Sequence, residues 1–153
     1  MAPPASTESR VLDVLETVLD GIGTPAGDWL TDPTVFEGTP ADAVPHDLGL
    51  LLYFHHVRTE VLGAEQGTAE HRHRAFFHVY CVSPDTGTGP RDVLALKADV
   101  LRAIFAAEGT FTSAFGQPMY PLGYGYRDDM AGAGLSVGVQ EFALDMEISH
   151  TAP

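Results

Sequence analysis

The sequence predicts an α+β fold, and three observations carry the prediction. Two apolar runs rich in β-branched and aromatic residues, Leu48 to Val61 (opening LGLLLYFHHV) and Arg74 to Val82 (RAFFHVYCV), flank a polar connection that holds Gly63, Gly67 and Thr68, the pattern of strand, turn and strand. Apolar residues at helical spacing mark one helix near the start and a second from Pro90 onward. Beyond Tyr120, apolar and other residues alternate in two further runs. The expected order is helix, strand, strand, helix, strand, strand, an antiparallel or mixed sheet packed by two helices in a single domain spanning residues 1–153.

Residues 1–5 are a Pro/Ala segment expected to form a flexible tail, as are residues 150–153. Ser6 or Thr7 can cap a helix that starts beside Glu8. Val11, Val14, Leu15, Val18 and Ile22 form its stripe, widened by Leu12 and Leu19, and Gly21 or Gly23 can supply the left-handed stop. From Thr24 to Asp47 the prolines 25, 33, 40 and 45 break regular structure, leaving room only for a short strand around Thr34 to Glu37. Trp29 and Phe36 are the residues expected to pin this connection to the core.

With the hairpin turn centred near Gln66, Tyr53 faces Tyr80, His55 faces His78 and Val57 faces Phe76 on one side, while Phe54 faces Val79 and His56 faces Phe77 on the other. Both faces are then largely apolar, which predicts a cover on each: helices on one, a second copy or a partner on the other. After the turn cluster SPDTGTGP, Pro90 opens a helix expected to run to about Glu108 and to end at Gly109. Val93, Leu96, Val100, Leu101 and Ile104 form its apolar face, extended by Leu94 and Phe105. The closing hairpin alternates Tyr120, Leu122, Tyr124 and Tyr126, turns through DDMAGAG, and alternates again at Phe142, Leu144, Met146 and Ile148. Val137 and Val139 fall out of phase, predicting a bulge near Gln140.

Composition narrows the function classes. The chain has 44% apolar and 19% charged residues, ordinary for a globular domain, and no apolar run long enough to span a bilayer. No membrane partner is expected. Twenty-one acidic side chains against eight basic ones give a formal charge of −13, with Lys97 the sole lysine. Specific nucleic-acid binding needs a cationic surface, which this composition does not supply; it suits a surface past which DNA slides without adhering. The single cysteine, Cys81, cannot form an internal disulfide and reads as a small buried hydrophobe.

Histidines 55, 56, 71, 73 and 78 lie in or beside one hairpin. His55 with His78, or His71 with His73 and nearby Glu60, could offer ligands to zinc; the alternative is amphipathic packing on strands. There is no GxSxG elbow, Walker loop or GxGxxG after a strand, and GYGYRDD lacks a lysine and a following helix, so no catalytic constellation and no cofactor are expected. Asp128 and Asp129 read as a solvated hairpin tip. Phe111, Phe115, Met119, Tyr120, Tyr124 and Tyr126 are of the types enriched at interface cores, the alternative being that half of them pack under the sheet. Together with Asp128, Asp129, His71, Arg72 and His73 they form the candidate interface set.

The order of elements, from VLDVLETVLDGI through DWLTDPTVFEG and FFHVYCVSPD to RDVLALKADVLRAIFAAEG and QEFALDMEIS, resembles the tail terminator (tail-completion) proteins of tailed phages and the related cap proteins of contractile injection machines. The likeness is one of layout over nearly the whole chain, and the family has no catalytic signature to carry over. It implies a non-enzymatic subunit of a homo-hexameric ring. Such a ring sits on the last ring of tail tube protein, ends tube growth and meets the head-completion or neck proteins, with the sheath protein as a further contact. It implies residence at the head-proximal end of the virion tail after assembly in the host bacterial cytoplasm, with DNA passing through the ring. Another neck or head-tail adaptor, a small metal-dependent enzyme using the hairpin histidines, and an adaptor that binds a peptide at the sheet edge are the competing readings.

Overall fold

The computed structural model of the protein describes residues 6–24, 27–40, 45, 47–64, 70–84, 87–127 and 134–149. Its elements are α1 (Thr7–Asp20), β1 (Thr34–Glu37), β2 (Leu51–Ala64), β3 (Glu70–Ser83), α2 (Gly89–Ala106), α3 (Glu108–Phe115), β4 (Tyr120–Tyr126) and β5 (Ser136–Ser149). The α+β class holds, with one five-stranded mixed sheet in the order β1-β2-β3-β5-β4. The expected element order omitted β1 from the sheet and missed α3. The tails, 1–5 and 150–153, lie outside the described residues.

Local chemistry accounts for the helix ends. Ser6 caps α1, its hydroxyl accepting from the Ser9 N–H at 3.1 Å, and Val11, Leu15 and Leu19 are fully buried. Gly21 is right-handed, so the left-handed residue after the helix is Gly23, at φ +88°. Gly109 does not end α2. The helix tightens at Ala107, whose N–H is shared between the carbonyls of Ala103 and Ile104, and restarts as α3 with Gly109 inside it. Within α3 Phe111 is buried in the core, and the stop comes at Gly116, left-handed at φ +85°.

β1 is a parallel neighbour of β2, pairing Thr34 to Glu37 with Leu51 to Phe54. Four residues are too few to show a period, which is why the sheet's fifth strand left so faint a mark. The β2–β3 register is as expected for Tyr53↔Tyr80, Phe54↔Val79, His55↔His78 and His56↔Phe77. It then shifts: Val57 is extra, and Arg58, not Val57, stands opposite Phe76. The expected bulge near Gln140 is absent, because β5 pairs with β3 without a shift from Ser136 to Ser149. The irregularity belongs to β4, between Pro121 and Tyr124, and the Gln140 amide donates to the Gly123 carbonyl there at 3.2 Å. Val137 and Val139 are simply on the other face from Phe142 and Leu144.

The main core lies between the helices and one sheet face, built on Leu52, Phe54, Phe77, Val79, Cys81, Phe142 and Leu144. Helix α1 packs over β1 and β2, and α2 over β3, β5 and β4. On the opposite face a smaller cluster of Leu51, Tyr53, Tyr80, Val82, Leu135 and Val137 occupies the end near β1. The second face is therefore apolar over only part of its length. Leu94 and Phe105, expected to extend the buried face of α2, are 46% and 56% exposed.

Candidate interaction surface

Strand alternation and the two register shifts decide which side chains share the face not covered by helices. His55, Arg58 and Glu60 come from β2, Arg72, Arg74, His78 and Tyr80 from β3, and Glu141, Asp145 and Glu147 from β5. Opposite charges meet across the strands. Arg74 donates to Asp145 through Nε at 2.7 Å and Nη2 at 3.1 Å, and Tyr120 adds its hydroxyl to the same carboxylate at 3.1 Å. His78 Nε2 lies 2.8 Å from Glu141 Oε2. The Arg58 guanidinium sits over the Phe76 ring, 3.8 Å from its centroid, while its Nε bonds Glu60 at 3.1 Å and its Nη1 lies 3.9 Å from Glu141. Such cross-strand pairs tie β2, β3 and β5 together and leave the face polar but largely self-neutralised.

His55 joins this face to its apolar end. Its Nδ1 is 3.1 Å from the His56 carbonyl, which can only accept, so Nδ1 carries the proton and Nε2 accepts from the Tyr80 hydroxyl at 3.0 Å. The ring also stacks on Tyr80 and meets His78 edge-on, with centroids 5.5 and 5.7 Å away. Burial pushes the His55 pKa down, outweighing the upward pull of the His56 carbonyl bond, and the neighbouring His78 adds a smaller downward push. The Arg74 hydrogen bond holds the Asp145 carboxyl below its ordinary range, against a smaller opposing push from burial.

The sequence-derived interface set divides when placed on the fold. Phe111 and Met119 are buried in the main core, the alternative that the sequence left open for part of this segment. Phe115 is half-buried under the Arg10 guanidinium and lines a cleft with exposed Arg72, Gln117 and Glu147, half-buried Asp145 and buried Met146. Tyr120 belongs to the charged face through Asp145, whereas Tyr124 lies on the helix side, with Lys97 Nζ 4.6 Å from its ring centroid. Tyr126 packs edge-on against Tyr124 at 5.5 Å and is 55% exposed. His73 pairs with Val61 and Met146 on the helix side of the sheet, so Glu60, which faces Arg74, is on the opposite side from it and cannot complete a site there. His71 is opposite Ala64 and Ile148 in the ladders. Asp128 and Asp129 lie outside the described residues, and among those described no group of three or more His, Cys, Asp or Glu side chains is arranged to hold a metal ion.

Two features were missed by sequence reasoning. Asp99, on α2, is buried and accepts from the Leu30 N–H at 3.1 Å, the Thr31 N–H at 2.7 Å and the Thr31 hydroxyl at 2.6 Å. It fixes the segment before β1 more directly than Trp29, which stacks under Arg102 with the guanidinium 4.7 Å from its ring centroid. The second is the pair of free sheet edges. β1 covers β2 only from Leu51 to Phe54, so among the described residues the outer edge of β2 beyond Phe54 has no strand partner, and β4 has none on its outer side. Cys81 is buried as expected, and burial pushes its thiol up to about 12.

No protein-family model matches the chain, and no curated protein matches it.

Proposed function

We propose that the protein is a ring-forming structural subunit that caps the tail tube of a phage tail or a related injection machine, ends tube growth and joins the tail to the neck. The supporting observation is a sheet with two non-equivalent free edges, β4 on one flank and the distal part of β2 on the other. A free strand edge offers unpaired N–H and C=O groups to another chain. Because these two edges differ in sequence and surroundings, their union is head-to-tail and closes when the rotation suits a ring.

The ends of the two roles follow from this geometry. A ring of like-oriented copies presents one rim to the tube and a different rim to the neck, so it accepts the last tube ring without recreating the surface on which the next would dock. The face that carries Arg74 with Asp145 and His78 with Glu141 is suited to line the passage. Its charges are matched locally, in a chain of formal charge −13, so it offers DNA no cationic track. Six copies, the tube and neck partners and the location at the head-proximal end of the tail follow from the family likeness in element order.

The experiment is reconstitution with assembled tail tubes, with mass measurement of the free protein across a salt series. Repulsion between acidic copies opposes closure at low ionic strength, so association should strengthen with salt or on the tube template. Tubes should stop at their normal length when the protein is present and overrun without it. A protein that neither self-associates nor caps tubes, with tube length indifferent to it, would overturn the reading.

A further inference from the structure

The flank formed by α2 and β4 combines exposed apolar surface with positive charge. Lys97 reaches over Tyr124, and Leu94 and Leu101 stand three residues before and four after it, on the same side of the helix. Phe105 continues the stripe one turn on, and Tyr126 extends it along β4. The strand sequence YPLGYGY contributes no charge, and Leu122 is exposed on it. Of the cations of α2, Lys97 lies over Tyr124 and Arg91 is exposed, while Arg102 turns to the Asp28 carbonyl and the Trp29 ring; of its two carboxylates, Asp99 turns to the same segment, to Leu30 and Thr31, and Asp92 is held by the Ser83 and Thr88 hydroxyls. In a chain with 21 acidic and 8 basic side chains, the ledge thus carries two of the eight cations, Arg91 and Lys97.

The other flank has the opposite character. Helix α1, over β1 and β2, exposes Asp13, Glu16 and Asp20, with its Arg10 over the Phe115 ring, and β1 adds exposed Glu37; Glu60 is on the other face of the sheet, bonded to Arg58. Along the free edge of β2, Val61 is 61% and Leu62 39% exposed. We propose that the occupant of the α2/β4 ledge is a second copy of this chain, which docks through its acidic α1/β2 flank with Val61 and Leu62 against the Leu94–Phe105 stripe. The charges select this pairing: ledge on ledge would bring Arg91 and Lys97 toward their own copies, and flank on flank would bring Asp13, Glu16, Asp20 and Glu37 toward theirs, whereas ledge on flank joins opposite signs. Apolar surface exposed on both sides is buried in the same step. The proposal rests on the ring reading for the existence of self-association and adds which surfaces meet.

The test uses two sets of variants at exposed positions: Leu94→Asp with Phe105→Asp on the ledge, and Val61→Asp with Leu62→Asp on the β2 edge. Leu122→Asp is an independent ledge variant on a different element. Melting temperatures near that of the unaltered protein establish that the variants are folded, and association is read by mass measurement in solution and on assembled tail tubes. Each set alone should lower the association constant at least tenfold. An equimolar mixture of the two sets should form a 1:1 complex that grows no further, because one intact ledge meets one intact flank. Variants that associate like the unaltered protein, or a mixture that stays monomeric, would overturn the junction while leaving the ring standing. Ledge variants that self-associate normally yet lose the tube would assign the ledge to the tube protein instead, which also overturns the proposal. No self-association of the unaltered protein, even on tubes, would remove the ring reading and this junction with it.

Discussion

Arg74 and Asp145 face each other across the β3–β5 ladder as a two-pronged pair, Nε to Oδ1 at 2.7 Å and Nη2 to Oδ2 at 3.1 Å. The pair keeps the Asp145 pKa below its ordinary value, chiefly through the Arg74 bond. A carboxylate whose folded pKa is depressed contributes stability above its unfolded pKa of about 3.9, and that contribution is lost as pH falls through the folded value. Asp145→Asn should therefore lower the urea midpoint at neutral pH by a small amount, since the pair is partly solvated. The gap from the unaltered protein should close on acidification below about pH 4. A gap that persists unchanged at pH 2 would assign the loss to packing rather than to the ion pair.

His55 contributes a slope of the same sign at a higher pH. It is neutral in the fold, accepting from Tyr80, and burial lowers its pKa. The unfolded chain therefore takes up the proton first, so stability falls as pH drops below about 6.5 and stops changing on this account once pH is below the folded value. His55→Gln keeps a side chain able to accept from Tyr80 and removes the titration. Urea midpoints measured between pH 7.5 and 5 should decline less steeply for this variant; parallel slopes would show that another group dominates in that range.

How much was legible follows from what each feature writes into the chain. The hairpin register could be read as far as His56 because aromatic and aliphatic residues alternate there on both strands. It was lost at Val57, since a valine looks like a strand residue whether it is paired or extra in a bulge. The Arg74–Asp145 and His78–Glu141 pairs needed the β3–β5 register. The signal was present in RHRAFFH set against QEFALDME, where Glu141, Asp145 and Glu147 take positions alternate to Phe142, Leu144 and Met146. Tyr124 and Tyr120 read as one face from their even spacing, and the extra residue between Pro121 and Tyr124 put them on opposite sides. The pause at Ala107 was hidden because Gly109 imitates a helix stop.

Asp99 was the least legible residue, because a lone aspartate in a helix reads as solvated and its partners are 68 and 69 residues away in sequence. Removing it strands the buried Thr31 N–H and the part-buried Leu30 N–H. Asp99→Ala should cost about 2 to 4 kcal/mol, since each buried donor left unsatisfied costs roughly 1 to 3 kcal/mol and water recovers part of it. The amides of Leu30 and Thr31 should lose protection in hydrogen exchange while those of β3 and β5 keep theirs. Continued protection of Thr31 in the variant would show that other contacts hold the segment.

The last prediction concerns the contact between Tyr124 and Gly138, which seats the ring that Lys97 covers. A Cβ added at Gly138 would come within 1.9 Å of the Tyr124 hydroxyl oxygen and 2.5 Å of the ring carbon that bears it, so glycine is required here by the approach of a side chain and not by its backbone angles. The hydroxyl is buried and has no hydrogen-bond partner among the described residues, and burial raises the Tyr124 pKa. Two substitutions at one contact should then differ in sign. Gly138→Ala forces the ring outward and should cost about 1 to 3 kcal/mol, as overpacking does. Tyr124→Phe removes only an unsatisfied hydroxyl and should be neutral or stabilising by up to about 1 kcal/mol. Absorbance titration of the tyrosines adds a readout independent of stability: the Gly138→Ala protein should ionise a tyrosine at lower pH than the unaltered chain does, because its ring has moved toward water. If Tyr124→Phe is the more damaging of the two, the hydroxyl has a partner that stabilises it and the ring is seated for a different reason.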